Sequence, residues 1–166
     1  MPRFNFNIRQ IISAVLSLLT ILGIIIGGIS SGSSIPAAPP AATSSASQQA
    51  VLDATNDFRA QNGLAPVKAN AALNDLAQDW AETIARTGEF KHRANYWEHY
   101  PANMRPGGEN IAQGNRGDSG RVFVNRWANS PGHRKNMLDP EAKSLGVGVA
   151  QAADGRLYVV QNFGHD

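Results

Sequence analysis

Leu145-Gly146-Val147-Gly148-Val149 alternates large apolar residues with glycine, and it constrains the fold more than any other stretch of the chain. A period of two puts Leu145, Val147 and Val149 on one face of a strand and leaves the other face bare at Gly146 and Gly148. A bare face would let a helix or another stretch of backbone approach closely. Leu157, Val159 and Gln161 alternate with Tyr158 and Val160 in the same way, and Asp154-Gly155 between the two runs is a turn signal. Together they predict an antiparallel hairpin.

Helical periods precede it. Over 49–62, Val51, Leu52, Thr55 and Phe58 share one face, and Gly63 stands where a helix would stop. From Ala71, with Asn70 as N-cap, Leu73, Leu76, Ala77, Trp80 and Ile84 form an apolar stripe that ends at Gly88, with Asp75 and Asp79 opposite. Trp80 reads as core. Over 119–129, Phe123 and Trp127 lie four apart; then Ser130 as N-cap and Pro131 at the first position open a short helix with His133 in its first turn. With a short strand at 110–113, the chain reads as α+β, a small antiparallel sheet covered by helices on both faces.

The amino-terminal part is different in kind. Arg3 and Arg9 precede an uncharged apolar run over 11–29, and 31–47 is almost wholly Ser, Ala, Pro and Gly. This predicts a signal peptide or signal anchor over 1–30, a flexible linker over 31–47 and one folded domain over 48–166. The run exceeds the roughly 7–15 residues of a usual signal core and approaches the roughly 20 that span a bilayer, so cleaved signal and uncleaved anchor both stay open. Either way the domain is expected outside: secreted or extracellular, or held at the cell surface by the amino-terminal helix. The chain has no cysteine, so its fold must hold without disulfides and no thiol offers a lipid anchor.

The two leader arginines account for the net charge of +2, which leaves the domain formally neutral. That excludes a large electrostatic footprint for nucleic acid; membrane contact is expected only through the amino-terminal segment, and the chain is expected to be a monomer. His133-Arg134-Lys135 reads as a solvated helix face.

The residues with chemistry in them are His92, Glu109 and His133. Gly-Glu-Asn-Ile-Ala at 108–112, Trp127 just before Ser-Pro-Gly-His-Arg-Lys-Asn-Met-Leu at 130–138, Gly-Val-Gly at 146–148 and Gln-Asn-Phe-Gly at 161–164 occur in that order. With these motifs, residues 50–164 resemble the bacterial branch of the CAP superfamily, the SCP domain of cysteine-rich secretory, antigen 5 and pathogenesis-related proteins. The resemblance implies a three-layer alpha-beta-alpha sandwich. It also implies a cleft with two histidines and two acidic residues that in some members binds a divalent cation, often zinc. His92, Glu109 and His133 match three of those four positions; Ser130 stands at the fourth.

Two neutral imidazoles and a carboxylate make a partial zinc shell with a position left for water, and the positive end of the short helix disfavours a charged His133. The alternative is that the three side chains simply hydrogen-bond one another and join the segments around the sheet. Ser130 is expected to border the cleft, and Gln161 either to border it or to be a satisfied sheet glutamine; Asn110 and Asn136 are expected to tie loops to backbone, and His99 and His165 to lie on the surface. The aromatic loop over 94–106 reads equally as rim or packed lid.

The expected function is a non-catalytic binding module whose ligand is a lipid, a peptide or a partner protein. The alternative is a metal-dependent or general-base hydrolase. A Ser130 nucleophile is set aside, because a capping serine spends its oxygen on backbone amides and no Gly-x-Ser-x-Gly elbow is present.

Overall fold

The computed structural model describes residues 46–165; the sequence readings for the apolar run and for nearly all of the linker lie outside them. In chain order the elements are α1 (Gln48–Gln61), β1 (Lys68–Ala69), α2 (Ala71–Thr87), a 3-10 turn at Tyr96–His99, β2 (Arg105–Gly114), α3 (Gly120–Ala128), α4 (Pro131–Met137), β3 (Ser144–Gln151) and β4 (Leu157–His165). Among the described residues no helix is long and apolar enough to cross a membrane.

The helix ends follow local chemistry. The Ser47 hydroxyl accepts from the Ala50 amide at 3.1 Å, so α1 starts where the Ser/Ala/Pro stretch stops. Asn70 caps α2 through the Leu73 amide at 3.1 Å, and Gly88 ends it in the left-handed region at φ 75°. Ser130 behaves differently from expectation. It precedes α4 in extended conformation, but its hydroxyl caps no amide of the helix.

The sheet order is β1-β3-β4-β2. β3 and β4 form the predicted hairpin, with Gly146 opposite Asn162 and Gly148 opposite Val160, and β4 pairs antiparallel with β2. The predicted antiparallel sheet gains one element: β1, two residues long, runs parallel to the start of β3. β2 begins earlier than the sequence indicates, because Arg105 and Pro106 pair with His165 and Gly164 before the register shifts ahead of Glu109.

Two cores separate three layers. On one face Leu145, Val147, Val159 and Phe163 pack with Val51 and Leu52 of α1 and Phe123 and Trp127 of α3. On the other, Ile111, Tyr158 and Val160 pack with Ala77, Ala81 and Ile84 of α2. Gly146 and Gly148 face that second layer, and a Cβ on either would overlap the α2 backbone at Leu73 and Ala77. The close approach also closes the open edge of β3. The Asn74 side-chain Oδ1 accepts from the Val147 amide at 2.9 Å, and the Gln78 side chain accepts from the Val149 amide at 2.9 Å and donates to the Val149 carbonyl at 3.1 Å.

Arg59 is a feature that the helical period alone hides. Its guanidinium, 1% exposed, donates from Nη1 to the Met137 and Asp139 carbonyls at 2.8 and 2.9 Å and from Nε to the Ala65 carbonyl at 2.9 Å. It thereby fixes the connection that leaves α4.

Gly146→Ala is expected to destabilise the domain by about 1–3 kcal/mol or more, because the new methyl has only rigid backbone to displace. Gly132→Ala, where a Cβ meets nothing within 4 Å, is the control and is expected to be neutral or slightly stabilising. Urea denaturation of both variants reads the difference, and equal midpoints would remove the close-approach account.

Candidate functional site

β2 is one of the two edge strands of the sheet, and Glu109 lies on it with its side chain on the face shared with Ile111, toward α2. That carboxylate is 1% exposed and must be paired. Its Oε1 accepts from the Arg93 backbone amide at 3.0 Å and faces Nδ1 of His92 at 2.9 Å. The His92 ring is half-exposed, so a buried anion holds an imidazole whose far side looks outward.

The segment that carries His92 is pinned on both sides. Trp80 donates its indole N–H to the Lys91 carbonyl at 3.1 Å. The Arg93 guanidinium lies 5.1 Å over the Trp80 ring and pairs with Asp79. Trp80 is therefore partly core and partly a bracket for this loop, and Asp79, read as a solvent-facing residue, anchors it.

His133 comes from the other side, in the first turn of α4. Its carbonyl accepts from Asn110 Nδ2 at 3.2 Å, while Asn136 Nδ2 donates to the Glu109 carbonyl at 3.2 Å and to Asn110 Oδ1 at 2.9 Å. These are the two tying amides the sequence indicates. Gly108 is glycine for the same reason, since a Cβ there would lie 2.5 Å from the Asn136 side chain. The result brings His133 Nε2 to 3.5 Å from His92 Nε2, with ring centroids 5.6 Å apart.

The three predicted ligands thus meet, but in series: Glu109, then His92, then His133. They are not three donors around one point. Among the described residues, the three-membered His, Asp and Glu group whose donor atoms lie within 4.8 Å of one another is Asp139, Glu141 and His165. The order has a chemical meaning. A carboxylate at Nδ1 selects the tautomer protonated there and leaves the Nε2 lone pair free. Two nitrogens on one tetrahedral zinc at about 2.0–2.1 Å lie roughly 3.3 Å apart, so the observed pair fits the ion, with Glu109 as the residue behind His92.

Burial, and next the neighbouring His92, holds the His133 imidazole below the ordinary histidine value. The helix terminus invoked from the sequence is not needed for this. Burial, and next the charge of Glu109, pushes the Tyr96 phenol above its usual value, and burial above all raises Tyr100 strongly. The aromatic loop divides: Tyr100 is packed, Tyr96 is half-buried with Trp97 edge-on at 5.3 Å, and Trp97 is 53% exposed as a rim.

Three placements correct the sequence reading. Gln161 does not border the cleft. It is fully buried on the opposite face, bonded to Thr55 at 2.7 Å and Asn110 at 3.0 Å, because the alternation that holds Val147 and Val159 inward holds it inward too. Ser130 is half-buried, and its hydroxyl is not spent on helix capping. His165 is not a free surface residue, for its side chain is 10% exposed and paired with Asp139 at 2.6 Å. The contribution missed altogether is the Arg93 amide, since a backbone donor carries no residue-type signal.

The profile of the CAP family, described as the cysteine-rich secretory protein family, matches residues 52–163. The chain belongs to that family. This CAP domain is 31% identical over 128 residues to the human Golgi-associated plant pathogenesis-related protein 1, a match covering 68% of this chain and 79% of that protein. It is 28% identical to YkwD of Bacillus subtilis over 69% of this chain and 46% of that protein. A crystal structure of an extracellular SCP-domain protein from Bacillus anthracis superposes with a TM-score of 0.60 at 26% identity, covering 72% of this chain and 40% of that one. The chain thus spans less than half the length of its two Bacillus relatives. Its fold is the α-β-α sandwich of the family, held here without the cysteines of the family's name.

In metal-free buffer, His133 is expected to titrate below 6.5 by NMR, and His92→Ala to move it only part of the way back, because burial is the larger cause. The sign follows by linkage. The stability tied to the neutral ring is fully present above the unfolded value near 6.5 and is lost as pH falls through the lowered folded value. Titration at or above 6.5 would contradict the geometry.

Proposed function

We propose that this CAP domain is a non-catalytic binding module outside the cytoplasm, in which His92 and His133 hold a divalent cation, zinc, and Glu109 orients His92. The observation that carries the reading is the pair of facing Nε2 atoms 3.5 Å apart, with Glu109 occupying Nδ1 of His92. A held zinc supplies a Lewis-acidic anchor for an oxygen or nitrogen of the ligand. The chain's own residues do the rest. Glu109 fixes the tautomer and ring plane, Asn110 and Asn136 hold α4 against β2, and Trp97 offers an exposed aromatic face on the loop that follows His92.

A secreted or surface location is supported by the apolar run after Arg3 and Arg9 and by the extracellular Bacillus anthracis relative. Whether the amino-terminal segment is cleaved or anchors the chain belongs to the same proposal. The ligand class is a lipid, a peptide or a partner protein. No observation favours hydrolysis. Glu109, the candidate base, is 1% exposed and committed to His92 and the Arg93 amide, and Ser130 makes no bond to His133 among the described residues.

Zinc calorimetry on the full chain tests this. His133→Ala is expected to lower the affinity more than 100-fold, and Glu109→Gln, which leaves both nitrogens in place, by roughly 10–100-fold. Affinity unchanged in His133→Ala would remove the metal from the account.

A further inference from the structure

We propose a second divalent-cation site, separate from the two facing histidines, formed by Asp139, Glu141 and His165. Their donor atoms all lie within 4.8 Å of one another. Asp139 and Glu141 belong to the connection that leaves α4, and His165 ends β4, so the three come from two segments that meet only in the fold.

The imidazole is the informative member. Its side chain is nine-tenths buried; Nε2 is turned to Asp139 Oδ2 at 2.6 Å, and Nδ1 is buried with no hydrogen-bond partner. Of the ring's two nitrogens it is Nε2 that faces the carboxylates. Asp139 is fixed in place: Arg59 donates to its carbonyl at 2.9 Å, and its Oδ1 accepts from the Glu141 amide at 2.9 Å. Asp139 also lines a cleft of about 320 Å³ with Lys135, Asn136 and Pro140.

Two carboxylates face the ring, and the cation that pairs with one of them is Arg105, at 2.7 Å from Glu141. Both members of that pair are largely exposed, at 62% and 65%, so it is weak and can open. One imidazole nitrogen and two carboxylate oxygens suit zinc or manganese, whereas magnesium and calcium favour oxygen alone. A bound cation would take the place that Arg105 now fills at Glu141. It would also join the end of β4 to the connection that Arg59 holds from the other side.

This sets Arg105 as a competitor, which gives the test a sign that an ordinary ion pair would not produce. In the His92→Ala/His133→Ala background of the full chain, zinc titration by calorimetry is expected to find one equivalent still bound. Adding Glu141→Gln is expected to weaken it at least tenfold, and adding Arg105→Gln to tighten it several-fold. No zinc bound by that background while circular dichroism shows it folded would overturn the proposal. So would an unchanged affinity on Glu141→Gln, or a weaker one on Arg105→Gln, and either would leave an Asp–His ion pair only. Should the double variant not fold, Glu141→Gln alone is compared with the unsubstituted chain. Loss of one equivalent supports the site and equal stoichiometry overturns it, whatever His92 and His133 hold.

Discussion

The contact on which the rest depends is the seating of the α2 backbone on Gly146 and Gly148. With no Cβ at either position, the helix comes close enough for Asn74 and Gln78 to take the free amides of β3, so side chains replace a neighbouring strand. An unpaired amide here would cost about 1–3 kcal/mol, and two are satisfied at once. The position of α2 then decides where Trp80 and Asp79 stand, and these two hold the loop that carries His92. The cleft is therefore downstream of a packing event on another strand.

Glu109 is the second point of control. A carboxylate 1% exposed needs partners, and the fold supplies two at Oε1, the Arg93 amide and the His92 ring. The same two bonds that satisfy the charge orient the imidazole, so stability and site geometry come from one arrangement. Asn110 and Asn136 extend it to α4 by bonding the carbonyls of His133 and Glu109. The order Glu109, His92, His133 follows from this, and it is the basis of the proposal that the carboxylate orients and the two Nε2 atoms ligate.

What the sequence makes legible is what is local. The glycine alternation, the Asn70 cap, the Gly88 stop and the β3–β4 hairpin all appear as read, because each depends on residues within one turn or one strand. The tying roles of Asn110 and Asn136 are also legible, since short amides inside a loop motif have few other uses. The failures are long-range or directional. β1 is two residues and carries no period. The sequence reads a loop through Pro106, yet Arg105 and Pro106 already pair with β4. Of the two readings open for Gln161, cleft border or satisfied sheet glutamine, its alternation with Val159 and its bonds to Thr55 and Asn110 select the second. His165 finds Asp139, 26 residues away, with no motif to announce it. Which nitrogen of His92 meets Glu109 is a matter of ring orientation that no residue type encodes.

The most direct measurement is zinc-edge X-ray absorption and anomalous diffraction on the zinc-loaded full chain. The account predicts an ion bound by Nε2 of both His92 and His133, with the Glu109 carboxylate on Nδ1 of His92 and outside the coordination shell. An ion bound directly by Glu109, or no ordered zinc between the two rings, would contradict it.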